Sequence, residues 1–348
     1  MELTRRGFAA GSVAVLAAAS THAAEPAKPS RIVWNDSGGA MSNNLRRIYF
    51  NDFEKATGIQ IVQTSPVDFA KLRAMVEAGN PEWTVTEIGS QDSIRAVKMG
   101  LVQPLDPAII DRSDFPKQAQ SPDVFASSLY STVLAYDSDE FKDGKQPKGW
   151  AEFWDVKRFP GPRSLRNHPV DNLEFALLAD GVPMDKLYPI DMDRAFRKLD
   201  AIKPHVTVWW TTGAQPAQLL LDKEVVLATG WNGRFFELAQ KKAPIGLEWT
   251  EAALKQGTFV IPKGAKDAYW GQKLLAMFTD PKRQAQYAEA LAYPGLSKDC
   301  AKYISPALLP FMPNAPGNIE KQYWTNDEWW SENGSHAIER WNAWLLKK

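Results

Sequence analysis

Between residues 31 and 100 the hydrophobic period switches back and forth between strand and helix, and that alternation confines the chain to α/β architectures. "RIVWN" (31–35) reads as a short apolar strand. In "LRRIYFNDFEKATG", Leu45, Ile48, Tyr49 and Phe53 share one helical face, and Gly58 supplies the stop. "IQIVQT" is strand-like again, and a second helix carrying Phe69, Leu72, Met75 and Val76 closes at Gly79. "WTVTEIGS" followed by "DSIRAVKMG" repeats the pair up to Gly100. Strands separated by helices of this length cannot pair as hairpins. They need helical crossovers, and therefore a largely parallel sheet with helices on its faces.

A second set of the same signals follows. "LYSTVLAYDSDEF" (129–141), rich in β-branched and aromatic residues, predicts a long strand that leaves the first unit before the turn "KDGKQPKG". "WAEFWD", "DNLEFALLADG" and "DMDRAFRKLDAI" read as helices, "VVLATGW" as a strand and "NGRFFELAQ" as the helix after it. "GTFVIPKGA" (257–265) predicts another strand, "KDAYWGQKLLAMFTD" a long amphipathic helix, and the rest is helical up to "SHAIERWNAWLL". A chain of 348 residues is long for one core, so two lobes are expected.

The first residues carry an address. "TRRGFAAGSVAVLAAASTHA" has paired Arg5 and Arg6, an apolar run from Ala9 to Ala19, and small residues Thr21 and Ala23 before a cleavage point. Residues 1–23 therefore read as a twin-arginine (Tat) signal peptide, too short to span a membrane, and the mature chain is expected in the periplasm. Cys300 is the only cysteine, which excludes an internal disulfide, and "SKDCAKYI" suggests a surface helix turn in which it is structural. Basic and acidic residues balance at 41 each, which argues against nucleic-acid binding by bulk charge.

Motifs for nucleophilic, metal or nucleotide chemistry are missing from the sequence, and His168, His205 and His336 have no metal-ligand spacing. No catalytic residue, metal or cofactor is expected. Asp191 and Asp193 sit where a helix begins, which suits capping. Tryptophan is in surplus at 14 residues. Trp34, Trp209, Trp210 and Trp231 fall at predicted strand ends or adjoining turns, the edge of a parallel sheet where ligands bind. Indoles there suit flat or cationic groups, so a binding cleft is the better collective account.

In order along the chain, "RIVWN…FEKATGIQIV", "MGLVQPLD", "GWAEFWDVKRFPG", "ATGWNGRFF", "FVIPKGAKDAYWGQKLLAMF" and "YPGLSKDCAKYISP" resemble the spermidine/putrescine-type periplasmic substrate-binding proteins of ABC importers. The resemblance covers about residues 31–310. It implies a two-lobe (Venus flytrap) α/β fold, each lobe a mainly parallel sheet flanked by helices, joined by two crossing hinge strands near 131–137 and 256–262. The implied lobes are 31–134 plus 259–305 and 135–258 plus 306–348, with the final helices packed on the second. Its implied partners are a small-molecule solute and a membrane permease, and its implied state is a monomer.

The resemblance also assigns residues. Trp231 matches a position that stacks on the ligand, and Asp171 a carboxylate that takes an amine, although the neighbouring acid is replaced by His168. Where polyamine binders place an aromatic and an acid, this chain has Lys255, Gln256 and Gly257. The turn Asn35, Asp36, Ser37, Gly38 and Gly39 and the pair Gln91 and Asp92 match ligand-contact loops of the first lobe.

An ammonium needs a carboxylate and an indole face, which Asp171, Asp36 or Asp92 could complete. A ligand carboxylate needs a guanidinium, from Arg234 or Arg166, unless Arg234 pairs with Glu237. Gly233 is expected to let a ligand approach the backbone. The expected solute is a polyamine or an ω-amino acid; an exported enzyme or a ligand-presenting sensor are the competing readings.

Overall fold

Two strands of unusual length organise the molecule. A computed structural model describes residues 25–347, so the expected signal peptide lies outside the described residues. The strands are β1 (Arg31–Asn35), β2 (Gln60–Thr64), β3 (Val85–Ile88), β4 (Phe125–Asp137), β5 (Arg163–Arg166), β6 (Val206–Trp210), β7 (Leu227–Trp231), β8 (Ile245–Val260) and β9 (Tyr323–Trp324). They form one sheet in the order β2-β1-β3-β8-β4-β7-β5-β6, with β9 beside β8. Pairing is parallel within β2-β1-β3 and within β7-β5-β6. It turns antiparallel wherever β4 or β8 meets β7, β3 or the other long strand.

The sheet therefore consists of two parallel halves welded by an antiparallel pair, with helices over its faces. One core gathers Ile32, Trp34, Phe50, Ile61, Phe125, Phe259, Leu274 and Phe278. Another gathers Leu134, Trp150, Phe153, Leu165, Phe175, Phe196, Leu227 and Trp341. Helix stops fall at the expected glycines: Gly58 and Gly79 take left-handed backbone, with φ of 77° and 67°.

The long pair runs from Phe125 opposite Phe259 to Asp137 opposite Ile245. Strand β3 meets β8 at Thr258–Val260 and β7 meets β4 only from Thr132 onward, so the backbone passes between the halves near 126–132 and 253–258. Strand β8 starts at Ile245, well before the expected 257. Its first part, "IGLEWTEAALKQ", mixes Ala, Leu, Lys and Gln, helix formers that a buried place between two neighbours overrides.

Several expectations change here. Trp34 is fully buried and stacks on Phe278 at 5.4 Å, with Phe259 at 4.6 Å and Phe50 at 5.0 Å. It is a core residue of the first half and lines no cleft, because it precedes the end of β1 and its side chain falls on the helix-covered face. Trp209 likewise leaves the site. It packs edge-on against Trp341 and Trp344 at 5.4 and 5.6 Å, while its neighbour Trp210 takes the opposite face. Cys300 is buried among Phe236, Ala285 and Ala288 and is not on the surface.

The final helix, Asp327–Leu346, buries Trp330, Trp341 and Trp344 in the second core. Its first turns also reach the Ser90–Lys98 helix of the first half: Ser90 Oγ donates to Asp327 at 2.9 Å, and Lys98 pairs with Glu332 at 2.7 Å.

Since Trp34 fills a core, Trp34→Ala should lower unfolding free energy by about 3–5 kcal/mol in equilibrium denaturation. Solute affinity measured well below the melting point should stay within about twofold, because a side chain outside the site adds nothing to binding. A tenfold loss of affinity at unchanged stability would return Trp34 to the site.

Candidate functional site

Strands β5, β6 and β7 are parallel, and they end at Arg166, Trp210 and Trp231. The three strand ends thus lie side by side at the edge where α/β sheets bind ligands. The Arg166 guanidinium carbon stands 5.6 Å from the Trp231 ring centroid and 5.7 Å from that of Trp210, and the two indoles meet edge to face at 5.9 Å. Among the described residues Arg166 has no ion-pair partner. A glycine makes the indole's position feasible: a Cβ on Gly213 would lie 2.4 Å from the Trp231 ring.

Register builds the rest of the floor. Thr132 is opposite Trp231 across β4/β7, and Tyr130 is opposite Lys255 across β4/β8. Directly opposed residues, and residues two apart, share a face, so Tyr130, Thr132, Trp231 and Lys255 all project to one side. The Tyr130 ring lies 6.4 Å from Trp231 and 6.1 Å from Tyr293.

On that side Lys255 Nζ donates to Asp171 Oδ2 at 2.5 Å and to Thr132 Oγ1 at 2.8 Å. Thr132 Oγ1 donates to the same carboxylate oxygen at 2.8 Å, and the ammonium is 5.8 Å from the Tyr130 centroid. Asp171 and Lys255 are both buried. Burial pushes the Lys255 amine below its ordinary range while Asp171 pulls it back. Asp171 holds φ of 75° and ψ of −47° inside the first turn of the Pro169–Ala179 helix, a strained conformation for a side-chain-bearing residue. The kink turns its carboxylate toward β4 and β8. Asp171 therefore faces the side of β4 and β8 that bears Tyr130 and Thr132, with its charge already taken by Lys255.

The neighbours of this pair are neutral or shared. His168 caps the same helix, its Nδ1 accepting from Val170 N at 3.2 Å, and burial with the nearby Arg166 pushes its pKa down to about 4. It serves as a cap and not as a charged ligand group. Glu174 accepts from Tyr188 Oη and Trp330 Nε1, both at 2.7 Å. Desolvation, helped by Asp171, raises its pKa to about 7.

In the first half, Asp36 is buried and satisfied by Gly38 N at 2.8 Å and the Ser42 hydroxyl, so it offers a ligand nothing. Gly39, with φ of 63°, serves the loop turning into the Ala40–Leu45 helix. Asp92 pairs with Arg95 of its own helix at 3.4 Å. Two further acids, Glu87 near the end of β3 and Asp327 at the start of the final helix, are ones that sequence reasoning passed over. Glu87 accepts from Ser37 N at 2.7 Å and Ser37 Oγ at 2.5 Å, and desolvation raises its pKa. Asp327 is held by Ser90, and desolvation raises its pKa to about 6. Both are desolvated yet only half-buried.

Arg234 lies 3.8 Å from Glu237 one turn along its helix, and its Nε is buried without a partner. The two residues before it are structural. Asn232 accepts from Ser131 N at 2.9 Å and donates to Ala292 O at 2.8 Å. A Cβ on Gly233 would stand 2.4 Å from Leu291 O and 2.6 Å from the Tyr293 ring. Gly233 therefore admits protein, not a ligand.

Residues 49–313 match the bacterial extracellular solute-binding protein family. A γ-aminobutyric acid-binding protein of Pseudomonas aeruginosa is 33% identical over 317 residues, 89% of each chain. A spermidine/putrescine-binding periplasmic protein of Escherichia coli is 24% identical over 292 residues, 79% of this chain and 82% of its own. The crystal structure of an ABC transporter substrate-binding protein from Bradyrhizobium japonicum superimposes with a TM-score of 0.85 at 37% identity, covering 92% of this chain and 100% of that one. The two-lobe fold is thus the observed one. Among the described residues no helix is long and apolar enough to cross a membrane.

Glu174 and His168 titrate in opposite senses. Glu174, raised from 4.5 to about 7, gives stability present at low pH and lost as pH rises through about 7. His168, lowered from 6.5 to about 4, gives stability present above 6.5 and lost as pH falls toward 4. Urea unfolding of Glu174→Gln should therefore show stability relative to the parent that grows across pH 4.5 to 7. For His168→Asn the difference should run the other way, each by on the order of 1–2 kcal/mol. Parallel pH profiles for parent and variants would show that these environments are misassigned.

Proposed function

The chain belongs to the bacterial extracellular solute-binding protein family, and on that premise we propose that it captures a small zwitterionic amine of the ω-amino-acid class for an ABC importer. Arg166 carries this reading: a guanidinium without an ion-pair partner, laid over two indoles at three adjoining strand ends, is a seat for a carboxylate. Trp231 and Tyr130 would line the ligand's aliphatic stem, and Glu87 or Asp327 would take its ammonium. The greater likeness to a γ-aminobutyric acid binder than to a spermidine/putrescine binder supports the same charge pattern.

Capture would proceed by closure of lobes 31–134 plus 259–305 and 135–258 plus 306–348 about the β4/β8 crossing, with Asp327 and Glu332 meeting the Ser90–Lys98 helix as they approach. The protein would be exported by its twin-arginine signal, work in the periplasm as a monomer, bind without turnover, and hand its solute to a membrane permease.

Calorimetry on the mature chain, freed of carried-over ligand by unfolding and refolding, tests this. γ-Aminobutyrate should bind and raise thermal stability by about 2.7 kcal/mol at 100 times Kd. Arg166→Gln should weaken binding about 10- to 100-fold, the worth of a charge-assisted hydrogen-bond pair. Trp231→Ala should also weaken it, and Arg234→Gln should do so by less than about fivefold because that arginine has an acid beside it. Binding of an uncharged sugar alone, or undiminished affinity in Arg166→Gln, would overturn the proposal.

A further inference from the structure

Lys255 belongs to no helix cap, surface pair or core stripe, and its place needs a reason. Its side chain starts on β8, runs buried beneath the cleft floor, and ends with an ammonium that has every contact a bound primary amine seeks. A carboxylate lies at 2.5 Å, a hydroxyl at 2.8 Å and an aromatic face at 5.8 Å, from Asp171, Thr132 and Tyr130. Carboxylate, hydroxyl and ring are the parts from which a protein builds an alkylammonium site. The same Tyr130 ring meets Trp231 edge to face, so this seat adjoins the solute cleft. Both Asp171 oxygens lie 2.5 Å from the ammonium, so the tethered cation takes up the whole carboxylate.

Resting on the ω-amino-acid reading of the cleft, we infer that Lys255 is a specificity-determining residue whose tethered ammonium fills the seat a ligand's second cationic end would occupy, so that diamines and polyamines are excluded. Two physical effects act together. Sterically, the butylammonium arm of lysine occupies the slot itself. Electrostatically, it cancels the Asp171 charge and leaves Arg166 as the nearby cation, so a second ammonium reaching for this seat meets like charge and a carboxylate already paired. Discrimination by an occupied seat and by repulsion is how a site rejects a near relative of its ligand.

Truncation of Lys255 to alanine removes what amounts to propylamine and leaves a slot of that shape ending on Asp171 and Thr132. In calorimetry the parent should bind γ-aminobutyrate and show no measurable affinity for 1,4-diaminobutane. Lys255→Ala should gain affinity for 1,4-diaminobutane by at least about tenfold and be stabilised by propylammonium, because a buried unpaired carboxylate regains its cation. Lys255→Met, which keeps the bulk without the charge, should gain neither. If Lys255→Ala does not fold in buffer, refolding in excess propylammonium chloride should restore near-ultraviolet circular dichroism where the same concentration of sodium chloride does not.

Tight 1,4-diaminobutane binding by the parent would overturn the inference. So would a folded Lys255→Ala that takes up the diamine and propylammonium no better than Lys255→Met, or a misfolded one that propylammonium cannot restore. A parent that binds no ω-amino acid would instead sink the solute assignment, and the gain between parent and variant would still report on the seat.

Discussion

The register of β4 against β8 is the constraint on which the site depends. It places Tyr130 opposite Lys255, and the adjoining β4/β7 register places Thr132 opposite Trp231. A slip by one residue would send all four to the other face. The pairing is irregular between Ala126 and Ser128 and again between Thr132 and Leu134, so the segment bearing Tyr130 and Thr132 is framed by two local breaks. Such breaks bend a strand and re-aim its side chains, and they lie where the backbone passes from one half of the sheet to the other. In the proposed closure, the element that joins the lobes would therefore also be the floor of the cleft. A rotation of one lobe about it would change the cleft's width while leaving the cluster of Tyr130, Thr132 and Lys255 in place.

The buried Lys255–Asp171 pair is poorly explained as a device for stability. Removing two charges from water costs several kcal/mol per ion, and their attraction together with the Thr132 hydroxyl offsets that only in part. Asp171 adds the cost of a left-handed backbone angle at a residue with a side chain. Strain at Asp171 and a buried charge pair between that helix and β8 fit the proposed recognition site, where selectivity would be gained at the expense of local stability. The packing around it is correspondingly close: Gly213 gives way to the Trp231 ring, and Gly233 to Leu291 and Tyr293.

Much of the fold was legible in the sequence, since alternating periods and glycine stops are local signals. The early residues of β8 were not, because Ala252, Ala253, Leu254 and Lys255 favour helix in isolation and only burial between neighbours makes them strand. The sequence marked the strand-to-helix junction at Trp231, where an apolar run ends just as a helical pattern begins. It misled at Trp34, where alternation within a five-residue strand decides the face and nothing local marks it. Lys255 looked like the loss of an acid in a familiar phrase. Its meaning lies in Asp171, 84 residues away in sequence, and in a register that no spacing rule reveals. Glu87 and Asp327 escaped notice for the same reason: each is held by a serine distant in sequence, Ser37 in the loop after β1 and Ser90 at the start of a helix.

In the proposed mode of capture, charge distribution would tie the cleft to closure. In the second lobe Asp171 is neutralised by Lys255, His168 is held neutral and Glu174 is partly protonated near neutral pH, so Arg166 stands out as a positive group. Toward the first lobe stand Glu87 and, at the seam, Asp327, both desolvated but not ion-paired with a basic group among the described residues. A cleft positive on one wall and negative on the other gives a zwitterion a single orientation. It also means that neither wall alone satisfies both ends of the solute. A ligand shifts a hinge only by the difference in its affinity for the two states, and a solute whose anion and cation are held by opposite walls has that difference by construction. A diamine would have only the negative wall to bind, and so little leverage on closure.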